Sequence, residues 1–243
     1  MLRVPRLFGV TRPRVVLPPN AAYELWADTY PPVAHNPLMR AEQDVVGALL
    51  GRVGATRALD VGTGAGRYLP VLESAGASVV LGLDSSLAML ARCSRAGRVC
   101  GDACRLPFRR GSFDLVNASL MVGDVADLGR WAREMARVLA VNGHLIYSDF
   151  HPSWKQNGWR RTFRGADGVT RELTYVPHSV DDHLAALEDA GLRVIAIREP
   201  RLRESDGSGV GPFRRRRGNP PVVVVFHAMR DARPRRPIRP SGA

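Results

Sequence analysis

The chain has 243 residues, 45% of them apolar, and a formal charge of +12 at neutral pH. That length supplies one sizeable core and is short for two full domains. No run of about eighteen apolar residues occurs, so no membrane span is expected, and Pro and Arg interrupt the N-terminus before a signal-peptide core can form, so a cytoplasmic location is expected.

Two further features of composition narrow the function. Cys93, Cys100 and Cys104 have neither a C-x-x-C pair nor a His at ligand spacing, so free thiols are expected, with no disulfide framework and no metal site. Soft-ligand thiol chemistry, such as arsenic methylation, is the alternative use for them. The charge is concentrated: from Arg198 to Arg239 twelve arginines less four acids leave +8, and Lys155 is the only lysine. Such a segment attracts polyanions weakly and without sequence preference, and the Arg-for-Lys bias reads as codon preference rather than a built phosphate surface.

In chain order, Asn20 is expected to cap a short helix over "AAYELWADTY" that stops at Pro31, and Asn36-Pro37 opens a longer one through Leu50. Tyr23, Trp26 and Tyr30 share one face of the first helix, as a packing face or as a wall over a ligand. Strands follow at Arg57 to Val61, Ser78 to Asp84, Arg98 to Gly101, Phe113 to Ser119 and His144 to Phe150. Helices between them start after Ser85-Ser86 and after Asp127, whose stripe is Leu128, Trp131, Met135, Val138 and Leu139. A hairpin around Ala166-Asp167-Gly168 is expected within 151–177. Ser179 and Asp182 then form a capping box, and strands at Leu192 to Ile197 and Val222 to Met229 close the pattern.

Strands alternating with helices predict an α/β fold: a Rossmann-like, doubly wound, seven-stranded sheet with an N-terminal helical cap and a hairpin inserted after strand five. The expected organisation is an arm and cap over 1–55, the Rossmann-like domain over 56–230 with the 151–177 insertion, and a disordered basic tail over 231–243. The Gly-, Pro- and Arg-rich stretch before the last strand reads as a mobile loop.

Directly after the first strand of the sheet, "ALDVGTGAGRY" sets Gly62, Gly64 and Gly66 at the mouth of a helix. A tight strand-to-helix turn needs glycine for steric reasons alone. The acids that follow add a site: Asp84 ends strand two, where a carboxylate can accept both ribose hydroxyls, and Asp102-Ala103 ends strand three, where adenine would lie. Asp60 and Thr63 flank the turn and Ser119 ends strand four, so several strand ends converge on the crevice where open sheets bind ligands. For Asp84 alone, a helix-capping role is the alternative.

Over about residues 36–229 the pieces "LDVGTGAGR", "VVLGLDSSLAML", "GDACRLPFRRGSFDLV" and "WAREMARVLAVNGHLIYSDF" resemble class I S-adenosylmethionine-dependent methyltransferases, closest to the small-molecule subgroup of ubiquinone and menaquinone biosynthesis. The resemblance implies S-adenosylmethionine as cofactor. Gly62, Thr63, Gly64 and Gly66 would meet its methionine part, with Asp60 near the amino group and Arg40 toward the carboxylate. Asp84 would hold the ribose, Ser85 and Met89 would flank the nucleoside, Asp102 and Ala103 would bind adenine, and Tyr30 would close over the cofactor. Two departures stand out: "LMVGDV" replaces a His pair that many relatives carry after strand four, and "VNGH" replaces a Pro-Gly-Gly turn, with Asn142-Gly143 still suited to a tight turn.

Acceptor residues are sought after strand five. His151 leaves that strand at its carboxyl end with a pKa suited to a general base, although a His that only hydrogen-bonds the loop has the same sequence signature. Asp149, His178, Trp26 and Trp159 are the other acceptor candidates. His35, His144, His183 and His227 read as structural or exposed, and the two Trp of the insertion fit either an aromatic wall or hairpin packing.

The expected function is methyl transfer to O or N of a small, hydrophobic or aromatic metabolite. An RNA-modifying enzyme holding its substrate through the Arg-rich loop ranks second, since no RNA-binding module is recognisable and strand four ends in "NASL" rather than an Asn-Pro-Pro-Tyr-like tetrad. A protein that binds the sulfonium without methylating is the third reading.

Overall fold

The computed structural model describes residues 15–202 and 219–232. The chain begins with β1 (Val15–Leu17), α1 (Pro19–Trp26) and α2 (Pro37–Leu50), followed by β2 (Arg57–Val61), α3 (Leu69–Ser74), β3 (Val79–Asp84), α4 (Leu87–Arg92) and β4 (Arg98–Cys100). Its second half runs β5 (Phe113–Ser119), α5 (Leu128–Val138), β6 (Leu139–Phe150), α6 (Ser153–Asn157), β7 (Arg161–Arg164), β8 (Thr170–Leu173), α7 (Val180–Asp189), β9 (Leu192–Arg198) and β10 (Val223–Arg230).

Seven strands form one sheet in the order β4-β3-β2-β5-β6-β10-β9. The first five run parallel, and β10 is antiparallel to both its neighbours. Strand order reverses between β2 and β5, which opens a crevice at their carboxyl ends. The expected sheet strands are all present, within a residue or two at most ends. The exception is β6, which begins at Leu139 rather than His144: Asn142 takes φ 62°, and the β5 partner steps from Leu139 to His144 across one residue pair. Asn142-Gly143 sits in this irregularity, where Asn142 has the positive φ that a tight turn uses and a Cβ on Gly143 would sit 2.9 Å from the Ala140 carbonyl oxygen.

The sheet is covered on both faces, as continuous apolar strands require. On one side Trp131 and Met135 of α5 and Leu187 of α7 pack on Tyr147, Phe226 and Val116. On the other, Val46 and Leu50 of α2 and Leu72 of α3 pack on Leu115, Ile146 and Val223. Each such fully buried side chain contributes roughly 1.5–3 kcal/mol. Caps fall where the polar residues predict: Asn36, Ser86 and Asp127 each accept a backbone N–H, and Ser179 with Asp182 forms the capping box.

The N-terminus differs. Helix α1 starts at Pro19 behind an extended Pro18, so Asn20 lies in the first turn instead of capping it, because Pro at the first position already fixes a helical φ. The insertion forms the expected β7–β8 hairpin, with Gly168 at φ 73° in its turn. Two elements are unforeseen: α6, and β1, which joins the hairpin as a parallel third strand. The Arg-rich loop around Arg214 to Arg217 and the tail from Pro234 lie outside the described residues. No helix among the described residues is long and apolar enough to cross a membrane.

Candidate active site

The β2–α3 turn is shaped by what it approaches. Gly62, Gly64 and Gly66 have φ of 71°, 53° and 85°, and a Cβ on them would fall 2.7 Å from Met121, 2.9 Å from Met89 and 2.5 Å from the Cys93 sulfur. Both the conformation and the space therefore demand glycine. Asp84 closes the turn: its Oδ2 accepts the Gly64 N–H at 2.7 Å and its Oδ1 the Ser86 N–H at 2.9 Å. Burial raises the Asp84 carboxyl above its usual range. Neither bond exhausts a carboxylate oxygen, so acceptor capacity remains for a ligand hydroxyl. Asp60 sits beneath the turn, receives Asn117 Nδ2 at 2.7 Å, and is pushed up to about 6 by burial.

A cavity of about 660 Å³ opens above these groups. The glycine turn lines it together with Asp60, Asp84, Ser85, Met89, Gly101, Ala103 and Met121, which packs on Gly62; Trp26 and Tyr30 of the cap, Leu120 after β5, Phe150 at the end of β6 and Trp154 of α6 add apolar and aromatic groups. Arg40, Thr63 and Ser119 also line it. Leu120 carries φ 57°, a conformation a branched residue adopts only where its surroundings impose it, and its N–H is held by Ser148 Oγ at 2.9 Å.

Several expected residues lie elsewhere. Gly66 packs on Cys93, and Asp102 is exposed with Oδ1 accepting the Cys104 N–H at 2.7 Å. Asp149 points to the opposite sheet face, 3.3 Å from His183 Nε2, because strand alternation sends its neighbour Phe150 to the cavity instead. His151 does not reach the cavity: Nδ1 accepts the Ser153 N–H at 3.1 Å and Nε2 lies 3.2 Å from Glu199. Of its two sequence readings, the loop-bonding one describes its position. His178 is buried and donates to the Val125 carbonyl at 2.8 Å. Trp159 packs edge-on against Trp154, which of the two insertion Trp is the one that lines the cavity.

Two polar clusters were not foreseen. Arg67 donates to the fully buried Glu42 at 2.9 Å, and Glu42 also accepts from the Tyr68 hydroxyl at 2.7 Å and Ser148 Oγ at 2.8 Å. Also in the cavity lining, Tyr23, Asp124 and Arg161 bond to one another. The shared face of Tyr23, Trp26 and Tyr30 was the one sequence signal for that part of the lining. Among the described residues, no three of His, Cys, Asp or Glu come together as metal ligands.

Glycines that leave no room for a side chain, a half-satisfied carboxylate at a strand end and a second carboxylate below them fit the sulfonium nucleoside that the sequence resemblance implies. Comparison with known proteins agrees. Residues 59–147 match the model of a methyltransferase domain family. The biotin biosynthesis bifunctional protein BioHC of Cellvibrio japonicus is 32% identical over 167 residues, 65% of this chain and 32% of that protein. A demethylmenaquinone methyltransferase of Mycolicibacterium gilvum is 40% identical over 98 residues, 40% of this chain and 42% of that protein. The chain thus spans less than half the length of these curated relatives. The crystal structure of an S-adenosylmethionine dependent methyltransferase from Mesorhizobium loti aligns with a TM-score of 0.63 and 26% identity, covering 78% of this chain and 98% of that one. Sheet order, glycine turn and these likenesses together show the fold of the class I S-adenosylmethionine-dependent methyltransferases, with residues 59–147 similar to a methyltransferase domain.

Proposed function

We propose that the protein transfers a methyl group from S-adenosylmethionine to O or N of a small, hydrophobic or aromatic metabolite. The observation that carries this reading is one cavity lined both by a glycine turn with carboxylates and by a set of aromatic side chains. When bound, the cofactor supplies an electrophilic methyl carbon on a sulfonium.

The chain's residues have distinct tasks around it. Gly62 and Gly64 let the backbone approach the methionine part, and Asp60 faces its ammonium. Arg67, oriented by buried Glu42, and Arg40 at the rim offer charge to the carboxylate. Asp84 accepts from the ribose hydroxyls, while Gly101, Ala103, Ser85 and Met89 bound the base. Asp102 has no place in this arrangement, since it points to solvent. Trp26, Tyr30, Phe150 and Trp154 exclude water, present ring faces that favour a cation, and hold an apolar acceptor near the methyl carbon. The relative named for demethylmenaquinone supports an acceptor of this apolar kind.

Binding is tested by calorimetry. The wild-type chain is expected to take up S-adenosylmethionine at micromolar concentration or below, and Asp84→Ala to abolish uptake; undiminished binding by that variant would refute the site. Turnover is tested with methyl-labelled cofactor and small-molecule cell extracts, the product being identified by mass spectrometry. Label appearing only in RNA would overturn the small-molecule acceptor.

A further inference from the structure

The aromatic part of the cavity lining contains a buried ion pair whose purpose packing does not explain. Arg161, the first residue of β7, directs both terminal nitrogens at Asp124, in the single 3-10 turn Val122–Asp124 that follows β5. Arg161 Nη2 also donates to the Tyr23 hydroxyl at 2.8 Å, and that hydroxyl donates to Asp124 Oδ2 at 3.2 Å. The Arg161 side chain is 6% exposed and that of Asp124 12%, and the guanidinium lies 4.8 Å from the centre of the Phe150 ring. Such a pair loses so much hydration that apolar residues of the same volume commonly stabilise a fold as well or better.

Its position supplies a reason. Tyr23, Asp124, Phe150 and Arg161 all line the cavity. Of the three carboxylates in the lining, Asp60 and Asp84 belong to the glycine turn, so Asp124 is the one beside the aromatic groups among the described residues. An ionised carboxylate has about four lone-pair sites. Three are occupied by the two Arg161 nitrogens and the Tyr23 hydroxyl, which leaves one for a ligand. Burial holds the proton on Tyr23, whose hydroxyl is raised well above its ordinary value.

We propose that Asp124 is the general base of the methyl transfer and that the acceptor is a neutral compound bearing an O–H or N–H, such as a phenol, alcohol or amide. This deepens the methyltransferase reading and rests on it. The acceptor's O–H or N–H bond breaks and its proton passes to an Asp124 oxygen. The electron pair left on the acceptor forms the bond to the methyl carbon, and the carbon–sulfur bond breaks with its pair going to sulfur. The proton passes from Asp124 to water as the product leaves. The carboxylate loses its negative charge as the sulfonium loses its positive one, so the cavity's net charge is conserved across the step. A carboxylate acceptor would be repelled by Asp124, and a tertiary amine or thioether has no proton to give. Arg161 and Tyr23 act as positioning residues.

The test uses the full chain with methyl-labelled cofactor and a small-molecule extract that supports wild-type turnover. Asp124→Asn keeps an oxygen for Arg161 and Tyr23 but cannot take the proton. Its affinity for S-adenosylhomocysteine is expected to stay within about twofold by calorimetry while kcat falls about a hundredfold or more. Tyr23→Phe is expected to lower kcat several-fold at unchanged KM. Should Asp124→Asn fail to bind S-adenosylhomocysteine, the charge-balanced double variant Asp124→Asn with Arg161→Gln takes its place, with the same loss of turnover expected. Wild-type turnover by a variant that binds S-adenosylhomocysteine overturns the base, and a product methylated on carbon, sulfur or a carboxylate overturns the acceptor class. An absence of labelled product from the wild-type chain overturns the parent reading, and this one with it.

Discussion

Asp60 shows how the site costs the fold stability. It is 2% exposed, and burial outweighs the Asn117 hydrogen bond, so its carboxyl rises from 3.8 to about 6. The folded chain therefore binds this proton more tightly than the unfolded chain does. The contribution to stability is complete below about pH 4 and is lost as pH rises through 6. Asp60→Asn is expected to stabilise the protein at pH 7 by on the order of 3 kcal/mol and to change little at pH 4, as read from urea melts. Under the proposed function the same variant weakens S-adenosylmethionine binding, more at pH 7 than at pH 5. Equal effects on stability at both pH values would contradict the assignment. Residues of this kind were legible in the sequence because Asp60, Gly62, Gly64 and Asp84 obey local rules, a strand end and a turn that only glycine can make. Arg67, Asp124 and Arg161 were not. Their hydrogen-bond partners stand 24 to 138 positions away, so only the folded topology brings them together. Asp149 and His151 were misplaced for a related reason: a period of two shows that neighbours on β6 face opposite ways without showing which of them faces the cavity.

Above single residues, the cap and the insertion act as one roof. Trp26 of α1 stacks on Phe163 of β7 with centroids 5.0 Å apart and meets Tyr30 edge-on at 4.8 Å. Glu24 accepts from the Ser86 hydroxyl at 2.7 Å, and Thr29 Oγ1 donates to the Arg164 carbonyl at 3.0 Å. The roof therefore touches both the start of α4, beside Asp84, and the hairpin. Bound S-adenosylhomocysteine is expected to slow amide hydrogen exchange in α1 and in β7–β8 more than in β2 or β5. Trp26→Ala is expected to weaken its binding about tenfold and to erase that added protection, because the aromatic ladder joining the two elements is cut. Unaltered affinity and protection in the variant would mean that the cap and hairpin do not close the cavity together. The hairpin was legible from Gly168, which takes the positive φ its turn requires. Strand β1 was not: it has three residues, and its ladder is supplied by β8, 156 positions downstream. Helix α6 was hidden by its length of five residues, too short for a helical period to show.

At the scale of the whole molecule, the alternation of strands and helices announced a parallel sheet, and the pairing of β10 between β6 and β9 completes it with an antiparallel seam. That seam carries a second titrating element. His144 Nδ1 lies 2.9 Å from His227 Nε2, and burial, then the neighbouring His144, lowers His227 from 6.5 to about 4. Burial lowers His144 as well. Here the unfolded chain takes up the proton first, so the contribution is complete above about pH 6.5 and is lost as pH falls toward 4. Between about pH 4 and 6 the two slopes oppose: rising pH removes stability at Asp60 and restores it at the histidine pair. Each slope should therefore emerge when the other group is removed. His227→Phe, an apolar ring of similar size in a site that is 8% exposed, is expected to give a protein whose melting temperature falls between pH 4 and 6 relative to wild type. Asp60→Asn is expected to give one whose melting temperature rises more steeply than wild type over that range, and the double variant to run nearly parallel to wild type. Melting curves of the four proteins at pH 4, 5, 6 and 7 measure all three slopes at once. A His227→Phe curve parallel to wild type would show that the seam titrates alike in the folded and unfolded chains, and would return the acid sensitivity of the fold to its net charge of +12.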